Sequence, residues 1–239
     1  MELDCRSSLL CMLFSKRLFP FFWGGAPEPP PACAPELTTI APMMRPLWVF
    51  AYGSLMWQPG FEPAERRPAL LRGLHRSFCV VSHVHRGTRE RPGLVAGLDR
   101  GGACRGLAFR VRDGEEAAVL GYLRGREQPT MVYRETTWPI ELVGEGAAER
   151  CRAVCFAVDR RHEQYAGPLA LDQRVRLVLT GVGRSGRSID YLDEMVACLA
   201  GLGIDDAGLA ALAAAVRRNG EWPARQTPAA PHKPGAVRR

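Results

Sequence analysis

Apolar and polar positions follow three patterns along this chain. Residues 48–52 form an unbroken aromatic and apolar run, stopped by Gly53 and Ser54. That predicts a buried strand ending in a tight turn. Residues 61–68 are polar and predict a loop, and 69–84 predict one or two strands with a bulge around Gly73. A charged loop follows over 86–92. Two short strands, 93–98 and 104–111, then flank a turn at Asp99-Arg100-Gly101-Gly102. The spacing is that of an antiparallel meander or barrel.

The period changes at Asp113. Asp113 with Glu116 forms a capping-box pattern, and Val119, Leu120 and Leu123 fall at helical spacing. The helix is expected to end within residues 125–129. Strand character returns over 131–143 and 150–158, and helices are expected over 172–179, 189–202 and 207–218. Strands, one helix, strands and then helices give no sustained strand–helix alternation. The expected class is therefore α+β, an antiparallel barrel-like sheet flanked by helices.

Both ends read differently. Residues 1–46 predict a flexible proline-rich leader, because its prolines forbid helix or central strand. Its longest uncharged run, 7–15, is too short to span a bilayer, and Lys16 and Arg17 interrupt the apolar part, so neither a membrane anchor nor a signal peptide fits. Met43 and Met44 directly precede the first strand, so the leader is also compatible with an over-extended start. Residues 47–218 are expected to form the domain and 219–239 a disordered basic tail.

Composition changes this picture little. The 239 residues carry a net charge of +7. Residues 217–239 hold six basic residues against one acid, Glu221, a net +5 that leaves +2 for the rest. No basic stripe interleaved with aromatics marks the body as a nucleic-acid binder. Eight cysteines contain no CxxC pair, and Cys151 and Cys155 lie too far apart along a strand to bond. Reduced thiols and a cytoplasmic setting follow. The oligomeric state is left open.

Candidate chemistry centres on two places. The N–H groups of the turn at Gly53, Ser54 and Leu55 are suited to an anion or oxyanion. Glu127 closes the YLRGRE segment at a helix C-terminus, where the macrodipole disfavours an anion. It reads either as a carboxylate of raised proton affinity in a pocket or as a solvated residue paired with Arg124 or Arg126. Arg86 reads equally as a contact for a substrate carboxylate or as a loop solvator. His83 and His85 would share one strand face, but no third ligand stands at metal spacing. Ser54 has no elbow motif or partner for a nucleophile, and GRSGRS at 183–188 has a phosphate loop's composition without its Lys.

Taken together, VFAYGSLMW at 49–57, SHVHRGT at 82–88 with Pro92 and Gly93, CRGLAFRV at 104–111, YLRGRE at 122–127, Tyr133, QYAGPL at 164–169 and SGRSIDYL at 185–192 resemble the ChaC family of γ-glutamylcyclotransferases, its glutathione-specific branch. The likeness runs over residues 47–212. Ala51 stands where that family usually has Gly, Ser188 where it has Asn, and Gln128 where bacterial members often have Met. The resemblance implies an enzyme that turns glutathione into 5-oxoproline and cysteinylglycine without metal or cofactor. It implies Glu127 as catalytic base. Val49, Phe50, Ala51, Tyr52, Gly53, Ser54 and Leu55 would hold the γ-glutamyl group, with Arg86 and Tyr133 as further substrate contacts. A cyclotransferase for other γ-glutamyl compounds and a non-catalytic γ-glutamyl-binding module are the alternatives.

Overall fold

In the computed structural model, residues 46–144 and 149–219 are described. The leader, apart from Pro46, and the tail, apart from Asn219, lie outside the described residues. In chain order the elements are β1 (Trp48–Ala51), β2 (Glu65–Ser82), β3 (Gly93–Arg110), α1 (Glu116–Glu127), β4 (Tyr133–Leu142), β5 (Glu149–Val158), α2 (Leu171–Thr180), a small hairpin of β6 (Val182–Gly183) and β7 (Gly186–Arg187), α3 (Ser188–Gly201) and α4 (Ala207–Asn219).

Five strands close into a barrel in the order β1-β3-β2-β4-β5. Neighbouring pairs are antiparallel around the ring until β1 meets β5, which runs parallel to it and closes the barrel. The fold is α+β, as the pattern predicts, with this parallel seam in addition. Closure removes sheet edges among these strands.

The ends of two strands depart from the sequence reading. Residues 65–68 are not loop: they pair with Arg110 through Leu107 and extend β2 at its start. Residues 99–102 are not a hairpin turn, because β3 runs through them unbroken. Gly101 and Gly102 take φ of 99° and 65°, opposite Gly73 at 89°, and the register slips between Arg72 and Leu74. Glycine accepts those left-handed angles without a Cβ clash, so the two strands bend together at a bulge. The Trp138 indole lies over that bend and its Nε1 donates to the Arg72 carbonyl at 2.7 Å. Asp99 is buried, accepting bonds from Arg160 at 2.6 Å and the Tyr165 hydroxyl at 2.9 Å. The real hairpin connection is residues 83–92.

The capping box also differs. Helix α1 starts at Glu116 without a side-chain cap from Asp113, which sits 3.6 Å from Arg110. The Glu116 carboxylate instead accepts the Gly114 N–H at 2.9 Å.

β1 is buried on both faces, and its two-residue period divides the core. Trp48, Phe50 and Tyr52 enter the barrel interior with Leu71, Leu98, Ile140 and Cys155. Val49 and Ala51 face the layer beneath the helices, with Phe109, Val178, Leu192, Met195 and Val216. Each fully buried large apolar side chain contributes about 1.5–3 kcal/mol. The strand is therefore a fixed post, and whatever follows it is held rigidly.

Candidate active site

That post delivers the turn. Tyr52 ends the apolar run, and residues Ser54–Met56 form one turn of 3₁₀ helix. The Met56 N–H donates to the Gly53 carbonyl at 2.9 Å. A 3₁₀ turn begun this way gives the Ser54 and Leu55 N–H groups no partner inside it. Arg76, almost fully buried, fixes the turn from behind. Its Nε donates to the Tyr52 carbonyl at 2.7 Å, its Nη2 to the Arg105 carbonyl at 2.7 Å, and its Nη1 pairs with Asp206 at 3.0 Å. At Gly53 a Cβ would meet the Tyr191 hydroxyl at 3.2 Å, so the backbone there packs closely against α3.

The end of α1 approaches the same turn from the other side. Arg126 Nη2 donates to Ser54 Oγ at 3.0 Å, while Nη1 donates to the Tyr122 hydroxyl at 3.0 Å and to the Gln58 carbonyl. Its Nε lies 3.2 Å from Glu127 Oε1. One guanidinium thus ties residue 54 to residue 127. Both sides line a cleft of about 340 Å³, which falls within the ordinary range for small-molecule sites.

Glu127 lines that cleft with its side chain 17% exposed. Burial raises its carboxyl pKa, and the adjacent Arg126 charge opposes part of that rise. Tyr52 and Tyr133 also line the cleft. Their hydroxyls donate to the Phe156 and Ala96 carbonyls, each at 2.8 Å. Burial pushes both phenols well above their usual pKa, and the Glu127 charge adds to the effect. Both are neutral and keep lone pairs free to accept a hydrogen bond.

Phe50, Tyr52, Gly53, Ser54, Leu55, Arg86, Tyr133 and Glu127 all line this cleft. Val49 and Ala51 do not; their side chains take the opposite face of β1, so the Ala51 methyl sits in the helix-side core. Arg86 is on the wall, with its guanidinium engaged. Nη2 bonds Glu194 at 3.3 Å, Nη1 bonds the Arg187 carbonyl at 3.3 Å, and the group lies 5.5 Å above the Tyr191 ring. Of the two readings of Glu127, the pairing is present, with Arg126, while Arg124 pairs with Glu135; the side chain is largely buried in the cleft and not solvated.

His83 and His85 lie beyond the end of β2 rather than on a strand face. Both line the cleft, and His85 Nδ1 is 2.9 Å from Ser185 Oγ. Burial, then the charges of Arg184, Arg86 and Arg126, lower the His85 pKa and favour the neutral ring. Among the described residues, no group of three or more His, Cys, Asp or Glu side chains is placed to hold a metal ion. The 183–188 segment forms the β6–β7 hairpin and the start of α3. Fully buried Ser188 donates to the Leu94 carbonyl at 2.6 Å and accepts the Leu94 N–H at 3.1 Å, so it staples α3 to β3 outside the cleft. Gln128 Nε2 donates to the Tyr133 carbonyl at 3.0 Å and ties the end of α1 to β4.

Sequence reasoning gave no site role to Arg126, Tyr191 or Gln164, all of which line the cleft. The signal for Arg126 is its place beside the glutamate. Tyr191 and Gln164 lay inside noted segments, but nothing in their spacing separates a cleft residue from a core one.

Comparison with known proteins agrees with this geometry. Residues 47–219 match the family described as ChaC-like protein. A glutathione-specific γ-glutamylcyclotransferase of Escherichia coli (strain K12) is 32% identical over 173 residues, 72% of this chain and 74% of that protein. Human glutathione-specific γ-glutamylcyclotransferase 1 is 31% identical over 177 residues, 71% of this chain and 78% of that protein. The crystal structure of a γ-glutamyl cyclotransferase specific to glutathione from yeast superposes with a TM-score of 0.67 at 22% identity, covering 72% of this chain and 96% of the other, which bears out the fold. A match from 47 to 219 takes in every strand and helix described above, and on that ground the chain belongs to the ChaC-like family.

Proposed function

We propose that this chain is a glutathione-specific γ-glutamylcyclotransferase, a lyase that cleaves glutathione to 5-oxoproline and cysteinylglycine, with Glu127 as general base. The observation that carries the mechanism is the buried Glu127 carboxylate in one cleft with the 53–55 turn. Names of the relatives support the substrate.

The reaction is an internal aminolysis. The α-amine of the γ-glutamyl unit attacks its own γ-carbonyl, a five-membered lactam forms, and the amide nitrogen of cysteine departs. Nucleophile and electrophile share one molecule, so the chain's main task is to hold the attack conformer. The α-ammonium must first lose a proton. Glu127 takes it and returns it to the leaving nitrogen, then takes the second proton that the attacking nitrogen sheds as the lactam forms and passes it to the departing amine; its raised pKa improves it as a base. The tetrahedral oxyanion accepts from the Ser54 and Leu55 N–H groups, each worth about 10²- to 10³-fold. Tyr52 and Tyr133 offer neutral oxygens to the ammonium. No oxidation state changes, and the step asks for no cofactor.

Five described cysteines, Cys79, Cys104, Cys151, Cys155 and Cys198, are free thiols, which suits a reducing cytoplasm. Among the described residues, no helix is long and apolar enough to cross a membrane.

The test is product analysis. Glutathione and γ-glutamyl-alanine are incubated separately with the full-length chain, and 5-oxoproline, free glutamate and dipeptide are quantified. Equimolar 5-oxoproline and cysteinylglycine from glutathione alone is the expected result. Free glutamate would mean hydrolysis, and no product would mean a binding module.

A further inference from the structure

Among the described residues, one buried side-chain polar atom on the cleft wall has no hydrogen-bond partner. Gln164 is 4% exposed, and its Oε1 is buried without a hydrogen bond. Its Nε2 donates to the Val81 carbonyl at 2.8 Å, which fixes the amide so that Oε1 is the free acceptor. A buried acceptor left unmade costs about 1–3 kcal/mol, so the site is unfinished without a donor. The segment carrying it is firmly held. Val81 N–H donates to the Gln164 carbonyl, Ala166 N–H to the Cys79 carbonyl, and Tyr165 bonds buried Asp99.

Gln164 also stands at a junction. With His83, Val84 and Thr130 it lines both the main cleft and a second hollow beside it. Glu127 and the 53–55 turn line only the first; Arg89, His162 and Glu163 line only the second. His162 Nδ1 accepts the Gln164 N–H at 3.1 Å, which leaves its Nε2 to carry the ring proton and act as a donor. Arg89 is exposed and 3.7 Å from Glu163, an open pair that a carboxylate can compete for. The second hollow therefore presents two donors, Arg89 and His162, and one carboxylate, Glu163, whose charge Arg89 already offsets, one junction away from the reacting groups.

We infer that this hollow is the subsite for the leaving half of a γ-glutamyl peptide, with Gln164 Oε1 accepting an amide N–H of the cysteinylglycine portion and Arg89 and His162 facing its terminal carboxylate. The inference rests on the cyclotransferase reading and deepens it. A γ-glutamyl group seated at Glu127 and Ser54 directs the rest of its peptide across Gln164 toward the second hollow. Gln164 is then a specificity-determining residue. It rewards a dipeptide leaving group over a single amino acid, because γ-glutamylcysteine lacks the second amide N–H and ends short of Arg89.

The test compares kcat/KM for glutathione with that for γ-glutamylcysteine in the wild type, Gln164→Met and Arg89→Ala, using full-length chains. Where γ-glutamylcysteine turns over too slowly, its inhibition constant against glutathione is compared with KM instead. A ratio within one preparation cancels any loss of folded protein. The wild type is expected to favour glutathione, and Gln164→Met to lose about tenfold of that preference, the worth of one buried hydrogen bond. Arg89→Ala is expected to lose several-fold of the same preference, because γ-glutamylcysteine ends short of it. Ratios unchanged within about twofold in both variants would overturn the subsite while leaving the cyclotransferase reading intact. Absence of 5-oxoproline from the wild type with every substrate would instead overturn that reading, and the subsite with it.

Discussion

The two walls of the cleft are built on opposite terms. On the wall made by the 53–58 turn and the end of α1, the polar side chains pair with one another. Arg126 alone bonds Ser54, Gln58, Tyr122 and Glu127. On the wall that takes in residues 82–86 and Gln164, Gln164 Oε1 is a buried acceptor with no partner among the described residues. The first wall holds its side chains in place without a ligand and leaves the Ser54 and Leu55 N–H groups unpaired within the turn, which suits groups that must act on a reacting centre. The second is complete only when something binds, which suits recognition. On this proposal chemistry and selectivity fall to different residues, and each is expected to be removable without the other.

Breaking the first wall at its carboxylate has the largest expected effect. Glu127→Gln lowers kcat for 5-oxoproline release by about 10²- to 10⁴-fold. Its fold should survive. Because burial lifts the folded carboxyl's pKa above the unfolded value, the folded chain holds that proton more tightly. Ionising it therefore costs stability as pH rises from the ordinary carboxylate value through the folded one. A neutral amide avoids this cost, so the melting temperature at neutral pH is expected not to fall; a large drop would show a structural role instead.

Removing the tether comes next. Arg126→Met loosens α1 from Ser54 and lowers kcat by about tenfold through misplacement. It also deletes a charge that favours ionised Glu127, so the acid limb of the pH profile moves to higher pH. An unmoved limb would mean that Arg126 acts on geometry alone. Gly53→Ala places a methyl 3.2 Å from the Tyr191 hydroxyl. A few tenths of an ångström of adjustment are expected to raise KM several-fold, with Tyr191→Phe restoring part of it. A chain of residues 44–222, which retains every described residue, is expected to keep kcat/KM unchanged within about twofold. Loss of activity would show that the omitted ends belong to the working protein.

The first wall was legible in the sequence and the second was not. An aromatic run stopped by Gly53 and Ser54 states its own geometry, since period-two burial on both faces leaves few ways to place the turn. Glu127 drew notice because a helix C-terminus disfavours an anion, but its spacing alone left it open between a cleft carboxylate and a paired surface residue, and the family resemblance supplied its role. Gln164 could not be found that way, because its role depends on being left unpaired. Only the backbone bonds of residues 164–166 to β2 create that condition. Val49 and Ala51 show the reverse error: a contiguous motif was read as a contiguous surface, although alternate residues of a strand face opposite sides. The misread turn at residues 99–102 has a similar origin. Consecutive glycines mark left-handed backbone, but a bulge and a hairpin spell it alike.

The central claim is that one buried carboxylate does the proton transfer, and the pH dependence of kcat/KM for glutathione tests it most directly. Wild type is expected to show an acid limb above the usual glutamate range, set by the buried Glu127, and the residual activity of Glu127→Gln is expected to lack it. A wild-type limb at the ordinary glutamate value, or the same limb persisting in Glu127→Gln, would contradict the account.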